Sequence, residues 1–521
     1  MSVLTVAVIG SGPAGLYTAE ALIKQGAAID PPVTIHVDVI DRLPTPYGLV
    51  RYGVAPDHKS IKSIAEYLRG VLEHEGVRFV GAVHLGDEVS RDDLLSCYDA
   101  VVYATGAMRD RRLGIPGEDL PGSYAATDFV NWYCGHPDVD PDRFTLDAES
   151  VAVIGVGNVA VDVARILIRD PAELADTDVS QPVLDALMAS KVREVHMIGR
   201  RGPAQAKFTT KELRELGELA GVDVVVGSGE ADLSAFDESG ESARLAADDR
   251  HVRGNYKVIS DWASRSAAAG LARRLTVRFW LSPVEIQGES KVEGLTLERT
   301  RLDASGRLTG TGQHETVPVQ MVMRSVGYQS VPLPGVPFDD RSHTVPNADG
   351  RVLGSDRQPL PGEYVAGWLK RGPTGVIGTN KSDAAQTVRA LLADLAGGPG
   401  PDDAPLPRAG LLRLPGVEAG SGADADAGSG ADSGADAGSG AGSGADAGSG
   451  ADLEPGAADG VAWSVPFNEL LAARGIKPVG YDDWLKIENA EKELASSLGR
   501  GARVKLASRA DIHAACGLIK P

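Results

Sequence analysis

Two glycine-rich turns constrain the fold of this chain more than any other feature of its sequence. The first, Gly-Ser-Gly-Pro-Ala-Gly at residues 10–15, follows an apolar run at 3–9 and opens a helical pattern that is predicted to end at Gly26. The second, Gly-Val-Gly-Asn-Val-Ala at residues 155–160, follows the apolar run 151–154 and opens another helical pattern. Such a turn lets the backbone approach a pyrophosphate, while the helix N-terminus supplies free N–H groups and a partial positive charge. The sequence therefore predicts an α/β fold with two Rossmann-like dinucleotide-binding domains.

The residues that end the second strand of each unit indicate which dinucleotide the unit binds. The predicted strand 33–40 ends at Asp41, whose carboxylate can accept hydrogen bonds from both ribose hydroxyls in the adenosine half of FAD. The predicted strand 192–198 is followed by Arg200 and Arg201, whose guanidiniums can bind a 2′-phosphate through charge-assisted bonds. The alternative for the two arginines is a solvated basic strand end. Together these signals predict FAD at the first turn and NADP at the second, in a flavoprotein that receives electrons from a nicotinamide.

The charge of the chain is strongly negative but unevenly distributed. The sequence has 72 Asp and Glu against 52 Lys and Arg, a formal net charge of -20, which disfavours nucleic-acid binding. Residues 401–460 contain 11 acidic and 2 basic residues, so this stretch supplies 9 of the negative charges. No run approaches the roughly 20 apolar residues of a membrane-spanning helix. Because the N-terminus enters a predicted strand at once, we expect a cytoplasmic location without membrane association.

A low-complexity tract of Gly, Ser, Ala and Asp, from about 419 to 452, marks a boundary in the chain. Small and acidic residues bury too little apolar surface to offset the entropy of ordering, so 401–460 is predicted to be a flexible linker. A calcium-binding β-roll is rejected because its repeats need a large apolar residue in every turn. Aromatic residues occur again after the tract, so 461–521 is predicted to fold against the rest of the chain.

The three cysteines, Cys97, Cys134 and Cys516, are far apart and form no Cys-x-x-Cys pair. The sequence therefore predicts neither a redox-active dithiol nor an iron–sulfur cluster, and it predicts no metal site. Any iron–sulfur centre in the reaction must then belong to a partner.

Further glycine patterns extend the prediction for the first domain. Residues 98–106 and 322–328 each have the pattern of a buried strand that ends in a glycine turn, as expected for crossings between two domains. Residues 372–380 are a glycine-rich approach to a helix that is predicted to begin at Asp383 and end at Leu395. The N-terminus of such a helix favours the negative charge that builds on a flavin when it is reduced.

Longer motifs carry a resemblance to a known family. Residues 44–58 read Pro-Thr-Pro-Tyr-Gly-Leu-Val-Arg-Tyr-Gly-Val-Ala-Pro-Asp-His, 199–203 read Gly-Arg-Arg-Gly-Pro, and 371–380 read Arg-Gly-Pro-Thr-Gly-Val-Ile-Gly-Thr-Asn. With the second glycine turn, these stretches resemble the adrenodoxin-reductase-like ferredoxin–NADP reductases, including the bacterial members. Residues 503–506 are similar to the C-terminal end of that family, whereas the low-complexity tract has no expected counterpart.

The resemblance implies an NADP domain that is inserted into an FAD domain. The implied boundaries are 1–106 and 325–400 for the two parts of the FAD-binding domain, 107–324 for the NADP-binding domain, 401–460 for the linker and 461–521 for a segment that packs on the FAD domain.

The resemblance and the glycine turns also name the residues expected to contact each cofactor. For FAD these are Gly10, Gly12, Ala14, Gly15, Asp41, Leu49, Val83, Trp368, Gly375, Val376 and Ile377. For NADP they are Arg111, Gly157, Asn158, Val159, Arg200, Arg201 and Glu212, with Gly375 near both cofactors. The family often has Glu where this chain has Asp41, and the shorter carboxylate can still bond a ribose. Trp368 is expected on the flavin side, although a tryptophan in most proteins is simply part of the core.

Three polar side chains are expected beside the nicotinamide ring. Hydride transfer needs little acid–base chemistry, because the protein mainly positions the two rings. The resemblance points to His58, Asp162 and Glu215 as the catalytic candidates. The alternatives are a capping or packing histidine and two carboxylates on the surface of helices.

The expected electron acceptor is a ferredoxin, and we expect the enzyme to be a monomer. Ferredoxins are acidic and require a basic docking surface, for which Lys207, Lys211, Arg265, Arg273 and Arg274 are candidates, unless they are scattered solvated cations. Two alternatives stay open: an NADPH diaphorase or glutamate-synthase-like module with another acceptor, and a flavin-binding protein without enzymatic activity.

Overall fold

Two mainly parallel sheets with helices packed against them form the fold. The computed structural model describes residues 3–227, 229–265, 271–395, 463–501 and 503–518. In chain order the strands are β1 Val3–Ile9, β2 Thr34–Ile40, β3 Val77–Val80, β4 Ala100–Tyr103, β5 Arg109–Asp110, β6 Ser123–Ala125, β7 Ser150–Ile154, β8 Glu194–Ile198, β9 Val222–Val226, β10 Arg273–Arg278, β11 Leu281–Gln287, β12 Gly294–Leu302, β13 Leu308–Val317, β14 Met321–Arg324, β15 Tyr328–Gln329, β16 Asn347–Ala348, β17 Arg351–Leu353 and β18 Pro359–Val365.

The helices connect these strands and include three after the low-complexity tract. They are α1 Pro13–Ala28, α2 Leu49–Tyr52, α3 Lys59–Lys62, α4 Ile64–Leu72, α5 Arg91–Cys97, α6 Ala126–Tyr133, α7 Asn158–Ile168, α8 Gln181–Met188, α9 Thr210–Gly217, α10 Glu241–Asp248, α11 Arg250–Ala263, α12 Trp368–Arg371, α13 Thr379–Leu395, α14 Val465–Ala473, α15 Tyr481–Ser497 and α16 Arg509–Ala515. No helix among these described residues is both long and apolar enough to cross a membrane.

The first sheet has the strand order β16-β17-β18-β4-β1-β2-β3. β1 pairs in parallel with β2 and β4, and β18 pairs in parallel with β4. Side chains of β1 alternate between two cores, with Val6 and Val8 in one and Ala7 and Ile9 in the other. Both faces of the sheet are therefore covered, which explains why the run from 3 to 9 is almost continuously apolar.

The second sheet has the order β6-β14-β7-β8-β10-β9, and all of its strands lie between β4 and β16 in the chain. β7 pairs in parallel with β8 and β14. One face packs against helices, and the other shares a core with the antiparallel sheet β11-β12-β13, through residues such as Ile154 and Leu297. The mixed α/β fold with parallel sheets agrees with the prediction, whereas the antiparallel sheet was not predicted. The domain boundaries drawn from the sequence stay a prediction.

Two short strands connect the units that carry the sheets. β5 and β15 pair antiparallel, with Asp110 opposite Tyr328 and Arg109 opposite Gln329. The chain thus leaves the first sheet after β4 through β5 and returns towards it before β16 through β15. The two strands together form one link. This link and the packing between the units determine how the two glycine turns are placed relative to each other.

The described residues of 463–501 and 503–518 contact both units, and Lys505 bonds to each of them. Its Nζ donates to the carbonyl oxygen of Arg51 at 2.6 Å in the first unit and to that of Cys134 at 2.8 Å in the second. It also lies 3.4 Å from a carboxylate oxygen of Asp178. Burial lowers the pKa of Lys505 to about 8, although Asp178 opposes this shift. A buried ammonium with these partners fixes one geometry of the joint.

Two helices have other bounds than the sequence predicted. α1 continues through Gly26 to Ala28. A Cβ on Gly26 would lie 2.6 Å from Ile35 Cδ1, so this glycine allows close packing of helix on strand and does not end the helix. α13 begins at Thr379, before the predicted Asp383, and the Thr379 hydroxyl accepts a hydrogen bond from the N–H of Val376 just ahead of the helix. The predicted linker 401–460 lies outside the described residues.

Candidate active site

The first glycine turn has a closed side and an open side. Gly10 has φ +111°, and a Cβ there would lie 2.6 Å from the carbonyl oxygen of Ala104. A Cβ on Gly15 would lie 1.8 Å from the oxygen of Gly10, so Gly15 allows α1 to approach β1 closely. At Gly12, by contrast, a Cβ would meet nothing closer than Gly48 Cα at 3.9 Å. The open side at Gly12, next to the N-terminus of α1, has the form of a backbone cradle for a pyrophosphate.

The second glycine turn repeats this arrangement. Gly155 has φ +141°, and a Cβ there would lie 2.2 Å from the carbonyl oxygen of Ser325. A Cβ on Gly157 would have no neighbour within 4 Å among the residues that the structure describes. The side chain of Asn158 accepts a hydrogen bond of 2.8 Å from the N–H of Thr209, which ties the start of α7 to the segment before α9. The second sheet therefore carries its own cradle, again open at the middle glycine.

The carboxylate of Asp41 lies beside the first turn. Its Oδ2 accepts from the N–H of Ser11 at 2.8 Å and from the Ser11 hydroxyl at 2.6 Å, and its Oδ1 accepts from the N–H of Leu43 at 2.9 Å. A carboxylate has about four acceptor positions, so bonding capacity is left for a ribose hydroxyl. Val83 donates its N–H to the Asp41 carbonyl at 3.0 Å and is buried, while Leu49 begins α2 and is half-buried.

Arg200 and Arg201 are exposed just beyond the carboxyl end of β8. The residue before them, Gly199, packs against the second turn, since a Cβ there would lie 2.9 Å from Val156 Cγ1. Among the described residues neither guanidinium forms an ion pair or a side-chain hydrogen bond. Two cations with unused donors beside a dinucleotide turn fit an anionic group such as a 2′-phosphate.

A segment that follows β18 reaches the first turn. Gly367 has φ +74°, and a Cβ there would lie 2.4 Å from Ala14 Cβ, so Trp368 begins α12 next to α1. The indole of Trp368 stacks on Tyr328 with 5.6 Å between ring centroids, and its buried Nε1 has no hydrogen-bond partner within the described part of the chain. Further along, the stretch 374–376 is exposed just before α13 begins. An unused buried donor beside the first turn fits a polar ligand such as a flavin.

His58 lies where the two units meet, in a cluster of charged side chains. Its Nε2 is 2.8 Å from Asp162 Oδ1, 2.6 Å from Arg165 Nη2 and 3.2 Å from Glu212 Oε2. His58 precedes α3 in the first unit, whereas Asp162 and Arg165 are on α7 and Glu212 is on α9 in the second. Glu215 Oε2 lies 3.7 Å from Arg165 Nη1. The contact between units thus collects polar side chains from two helices and one loop.

Arg165 is the centre of this cluster, and its side chain is only 3% exposed. Its Nε donates to Asp57 Oδ2 at 2.7 Å, its Nη2 donates to Asp162 Oδ1 at 2.8 Å, and its Nη1 lies 3.3 Å from Glu212 Oε2. Arg169, the residue that directly follows α7, also bonds Asp57. A buried guanidinium needs such partners, because an unpaired charge in this position is strongly unfavourable.

The cluster shifts the pKa values of its members in different directions. Burial acts to lower the pKa of His58, but the hydrogen bond and charge of Asp162 outweigh it, and the pKa is raised. Burial raises the pKa of Glu212, and the nearby charge of Asp162 adds to the shift although His58 opposes it. For Asp57, Arg165 and Arg169 outweigh the effect of burial and lower the pKa. Perturbed groups of this kind collect at functional sites.

An open cleft of about 440 Å³ lies at this cluster. Its lining includes His58 and Arg165 together with Lys59, Lys211 and Glu215. The cleft gives a ligand access to the histidine from outside, and its walls carry charges of both signs. This arrangement can position a polar ring and can exchange a proton.

Most residues singled out from the sequence fall into three places in the structure. The first turn collects Ala14, Asp41 and Trp368, and the second collects Asn158, Val159 and the arginine pair. The cluster at the contact between units holds His58, Asp162, Glu212 and Glu215, although Glu212 was expected at NADP and here touches the histidine. Arg111 lies apart from these, exposed on the link, where its N–H donates to Gly327 at 2.9 Å. Their contacts with cofactors stay predictions.

The sequence reasoning missed Asp57, Arg165 and Arg169. A signal was present, because Arg165 is a charged residue within the apolar pattern 163–168 of a helix. It also follows Asp162 by three positions, the spacing at which helical side chains meet. A cation in an otherwise buried helix face indicates a buried partner, here Asp57 from the other unit.

Residues 4–277 match the family model described as pyridine nucleotide-disulphide oxidoreductase. The chain is 49% identical to the NADPH-ferredoxin reductase FprA of Mycobacterium tuberculosis over 394 residues, which cover 75% of this chain and 84% of that protein. It is 42% identical to the mitochondrial NADPH:adrenodoxin oxidoreductase of Arabidopsis thaliana over 415 residues, with 76% and 83% covered. The structure of M. tuberculosis FprA in complex with NADPH superposes with a TM-score of 0.80 at 40% identity, covering 98% of this chain and 99% of that one.

Proposed function

The chain belongs to the pyridine nucleotide-disulphide oxidoreductase family, and from this premise we propose that it is an NADPH-ferredoxin reductase. The observation that carries the proposal is the pair of glycine cradles, one on each sheet, with His58 and Asp162 brought together where the two units meet. One chain with two dinucleotide cradles fits the transfer of a hydride from NADPH to FAD. Relatives at 42% to 49% identity are named for this activity with an iron–sulfur protein as partner.

In the proposed enzyme the first sheet holds FAD. When bound, FAD would supply the chemistry that accepts a hydride and releases two electrons singly. The cradle at Gly12 and the N-terminus of α1 bind the pyrophosphate, and Asp41 binds a ribose. The remaining FAD contacts that we propose are Gly10, Ala14, Gly15, Leu49, Val83, Trp368, Gly375, Val376 and Ile377.

The second sheet holds NADPH in the same way. The cradle at Gly157 receives the pyrophosphate, and Arg200 and Arg201 bind the 2′-phosphate, which is absent from NADH. Asn158 and Val159 belong to the same helix start, and Arg111 on the link is the weakest of the proposed contacts. His58, Asp162 and Glu215 surround the nicotinamide and orient it. Glu212 contacts His58 and helps to hold the imidazole in place. We assign these roles from the position and the charge of each side chain.

The acceptor is a ferredoxin in this proposal, and the candidate docking cations differ in availability. Lys207, Lys211 and Arg265 are exposed. Arg274 is paired with Asp223 at 3.3 Å, and Arg273 donates to a backbone carbonyl of α7 at 3.3 Å. Lys211 lies 3.9 Å from Glu215 Oε1. Unpaired cations fit an acidic partner better than paired ones do, so Lys207 and Arg265, which form no ion pair among the described residues, are the stronger candidates.

The first test is NADPH-driven reduction of cytochrome c by the purified yellow protein, with and without added ferredoxin. We expect a large ferredoxin-dependent increase, and only slow turnover with NADH in place of NADPH. If NADPH bleaches the flavin but ferredoxin has no effect, the acceptor is another molecule and the protein is an NADPH diaphorase or a module of glutamate-synthase type. No bleaching by NADPH would contradict the two-cradle assignment itself.

Replacing Gly157 by alanine is expected to weaken NADPH binding about tenfold or more while FAD stays bound. The added Cβ points into open space and meets no protein atom within 4 Å, so the fold tolerates it. It would occupy the side on which a pyrophosphate approaches the backbone. The dissociation constant comes from titration of flavin absorbance with NADP⁺, and the flavin content from the visible spectrum.

The matched control is Gly12→Ala, which has the same open geometry on the first sheet. This variant is expected to lose FAD during purification, with little change in folding as seen by far-UV circular dichroism. If both variants keep full FAD content and wild-type NADP⁺ affinity, the cradles do not receive pyrophosphates.

A further inference from the structure

Three successive carbonyl groups at the arginine pair accept hydrogen bonds from the same part of the molecule. The carbonyl of Gly199 accepts from the N–H of Leu281 at 3.1 Å, that of Arg200 from the Thr300 hydroxyl at 2.8 Å, and that of Arg201 from the N–H of Trp280 at 3.3 Å. The three donors lie on β11, on β12 and on the connection that precedes β11, and together we call them the platform. Thr300 is the one donor of the three that uses its side chain, so a substitution can remove this bond without changing the backbone.

The N–H groups of the same three peptides point away from the platform. In a trans peptide the C=O and the N–H that follows it point in opposite directions, and these peptides are trans. The bonds to the platform therefore turn the N–H groups of Arg200, Arg201 and Gly202 to the other side. None of these N–H groups has a hydrogen-bond partner in the described part of the chain. Successive backbone N–H groups that are free and point the same way are suited to an anion.

A buried carboxylate holds the platform in one arrangement. The side chain of Glu230 is 3% exposed. It accepts from Arg278 Nη2 at 2.8 Å, from Arg299 Nη1 at 3.0 Å and from the N–H of Phe279 at 2.9 Å. Bonds to a charged acceptor are stronger than those between neutral groups, so the end of β10, the connection after it and β12 form one rigid support.

Trp280 has an unusual backbone conformation at this support. Its φ is +60° and its side chain is fully buried. A large residue takes such a φ only where its surroundings determine it, and such positions collect at functional sites. Here the carbonyl of Trp280 accepts from the N–H of Thr300 at 2.9 Å, and a Cβ on Gly202 would lie 2.2 Å from Trp280 Cζ2. The chain that carries the arginine pair thus lies directly against the platform.

We propose that Thr300 is a positioning residue of the site for the 2′-phosphate. Its buried hydroxyl fixes the peptide between Arg200 and Arg201, so that the N–H of Arg201 faces the phosphate together with the two guanidiniums. Leu281 and Trp280 cannot replace it, because they bind the peptides on either side. The two guanidiniums have no protein partner among the described residues, so their direction depends on the main chain that bears them. This inference rests on the proposed function, since it requires NADPH at the second glycine turn.

The direct test is calorimetric titration of the holoenzyme with 2′,5′-ADP and with 5′-AMP, which differ only in the 2′-phosphate. Thr300→Val removes the hydroxyl and keeps a branched side chain. We expect its affinity for 2′,5′-ADP to fall about threefold to tenfold, the effect of one hydrogen bond, while its affinity for 5′-AMP stays unchanged. Thr300→Ser keeps the donor and should bind both fragments as the wild type does.

Thr311→Val is the matched control. The Thr311 hydroxyl on β13 donates to the carbonyl of Arg299 at 2.9 Å, which is the same kind of bond in the same sheet but does not reach the arginine pair. Both affinities should equal those of the wild type. If Thr300→Val behaves like this control, or weakens both fragments by the same factor, Thr300 has no role at the phosphate and the proposal is overturned.

A double-mutant cycle tests whether Thr300 acts through the arginine pair. Thr300→Val is combined with Arg200→Ala and Arg201→Ala, and its effect on 2′,5′-ADP should become much smaller, because the guanidiniums that the peptide positions are gone. An equal factor in both backgrounds contradicts the positioning role. Thr300→Ala, judged by the same affinities, covers the case in which Thr300→Val does not fold.

The wild-type protein separates this inference from the proposed function. If the wild type prefers 2′,5′-ADP to 5′-AMP and Thr300→Val keeps the same preference, the positioning role is wrong and the proposed function stands. If the wild type has no such preference, it has no site for the 2′-phosphate, and both are contradicted. In steady-state turnover we expect Thr300→Val to raise the KM for NADPH, with kcat and the KM for NADH unchanged.

Discussion

Replacing both Arg200 and Arg201 by alanine is expected to raise the KM for NADPH on the order of a hundredfold or more. Each charge-assisted bond to the 2′-phosphate contributes about 1.5–3 kcal/mol, so two of them correspond to this factor. Both side chains are exposed and lack protein partners among the described residues, so their removal leaves no buried group unpaired. The measurement is steady-state reduction of ferricyanide with NADPH and, in parallel, with NADH.

NADH is the internal control, because it lacks the 2′-phosphate and its KM should change little. Arg250→Ala removes an equally exposed cation from the start of α11 and should leave both values unchanged. If the double variant raises the KM for NADPH and the KM for NADH by the same factor, the arginines act on the whole dinucleotide. The assignment to the 2′-phosphate is then wrong.

The second large effect is expected at the buried ion pair between Arg51 and Glu491. The two side chains are 4% and 0% exposed, and Arg51 Nη1 donates to the carboxylate at 3.2 Å in addition to the closer contact of Nη2. Glu491→Gln leaves the guanidinium buried without its counter-charge, which typically costs about 3–5 kcal/mol in the free energy of unfolding. We expect a correspondingly lower midpoint in urea, followed by tryptophan fluorescence and by release of the flavin.

Arg51 lies four positions after Tyr47, a residue with φ +80° whose N–H donates to Ser11 in the first turn at 3.0 Å. Loss of the ion pair should therefore release FAD at lower urea concentrations than in the wild type. Asp147→Asn is the control, because the side chains of Asp147 and Lys191 in this ion pair are 65% and 62% exposed. Loss of the pair should change the free energy of unfolding by less than about 1 kcal/mol. An unfolding midpoint for Glu491→Gln equal to that of the control would show that the pair contributes nothing to stability.

The glycine turns show which parts of this fold can be predicted from sequence. Both turns have local signals, because an apolar run, a glycine pattern and a helical pattern follow each other within about 30 residues, and the structure has a strand, a turn and a helix at each. Gly26 shows where such signals mislead. A glycine near the end of a helical pattern normally indicates a stop, but here it allows contact with Ile35 on β2, which the sequence does not reveal.

The cluster around His58 shows why the rest could not be predicted. His58 and Asp162 are 104 positions apart, and Arg51 and Glu491 are 440 positions apart, so no periodicity relates them. Only the packing of one unit on the other brings these side chains together. The antiparallel sheet β11-β12-β13 was missed for another reason, since half-exposed strands such as β13 have a polar pattern that is also typical of loops.

The first sheet also has a consequence for the order in which the protein forms during synthesis. β18 pairs with β4, yet more than 250 residues separate these strands in the chain, and the whole second sheet is translated between them. The second unit can fold as soon as it leaves the ribosome, whereas the first must wait with an open edge at β4. A nascent chain therefore completes the proposed cradle for NADPH before the sheet that we propose to bind FAD, and flavin capture is expected to be a late event in biosynthesis.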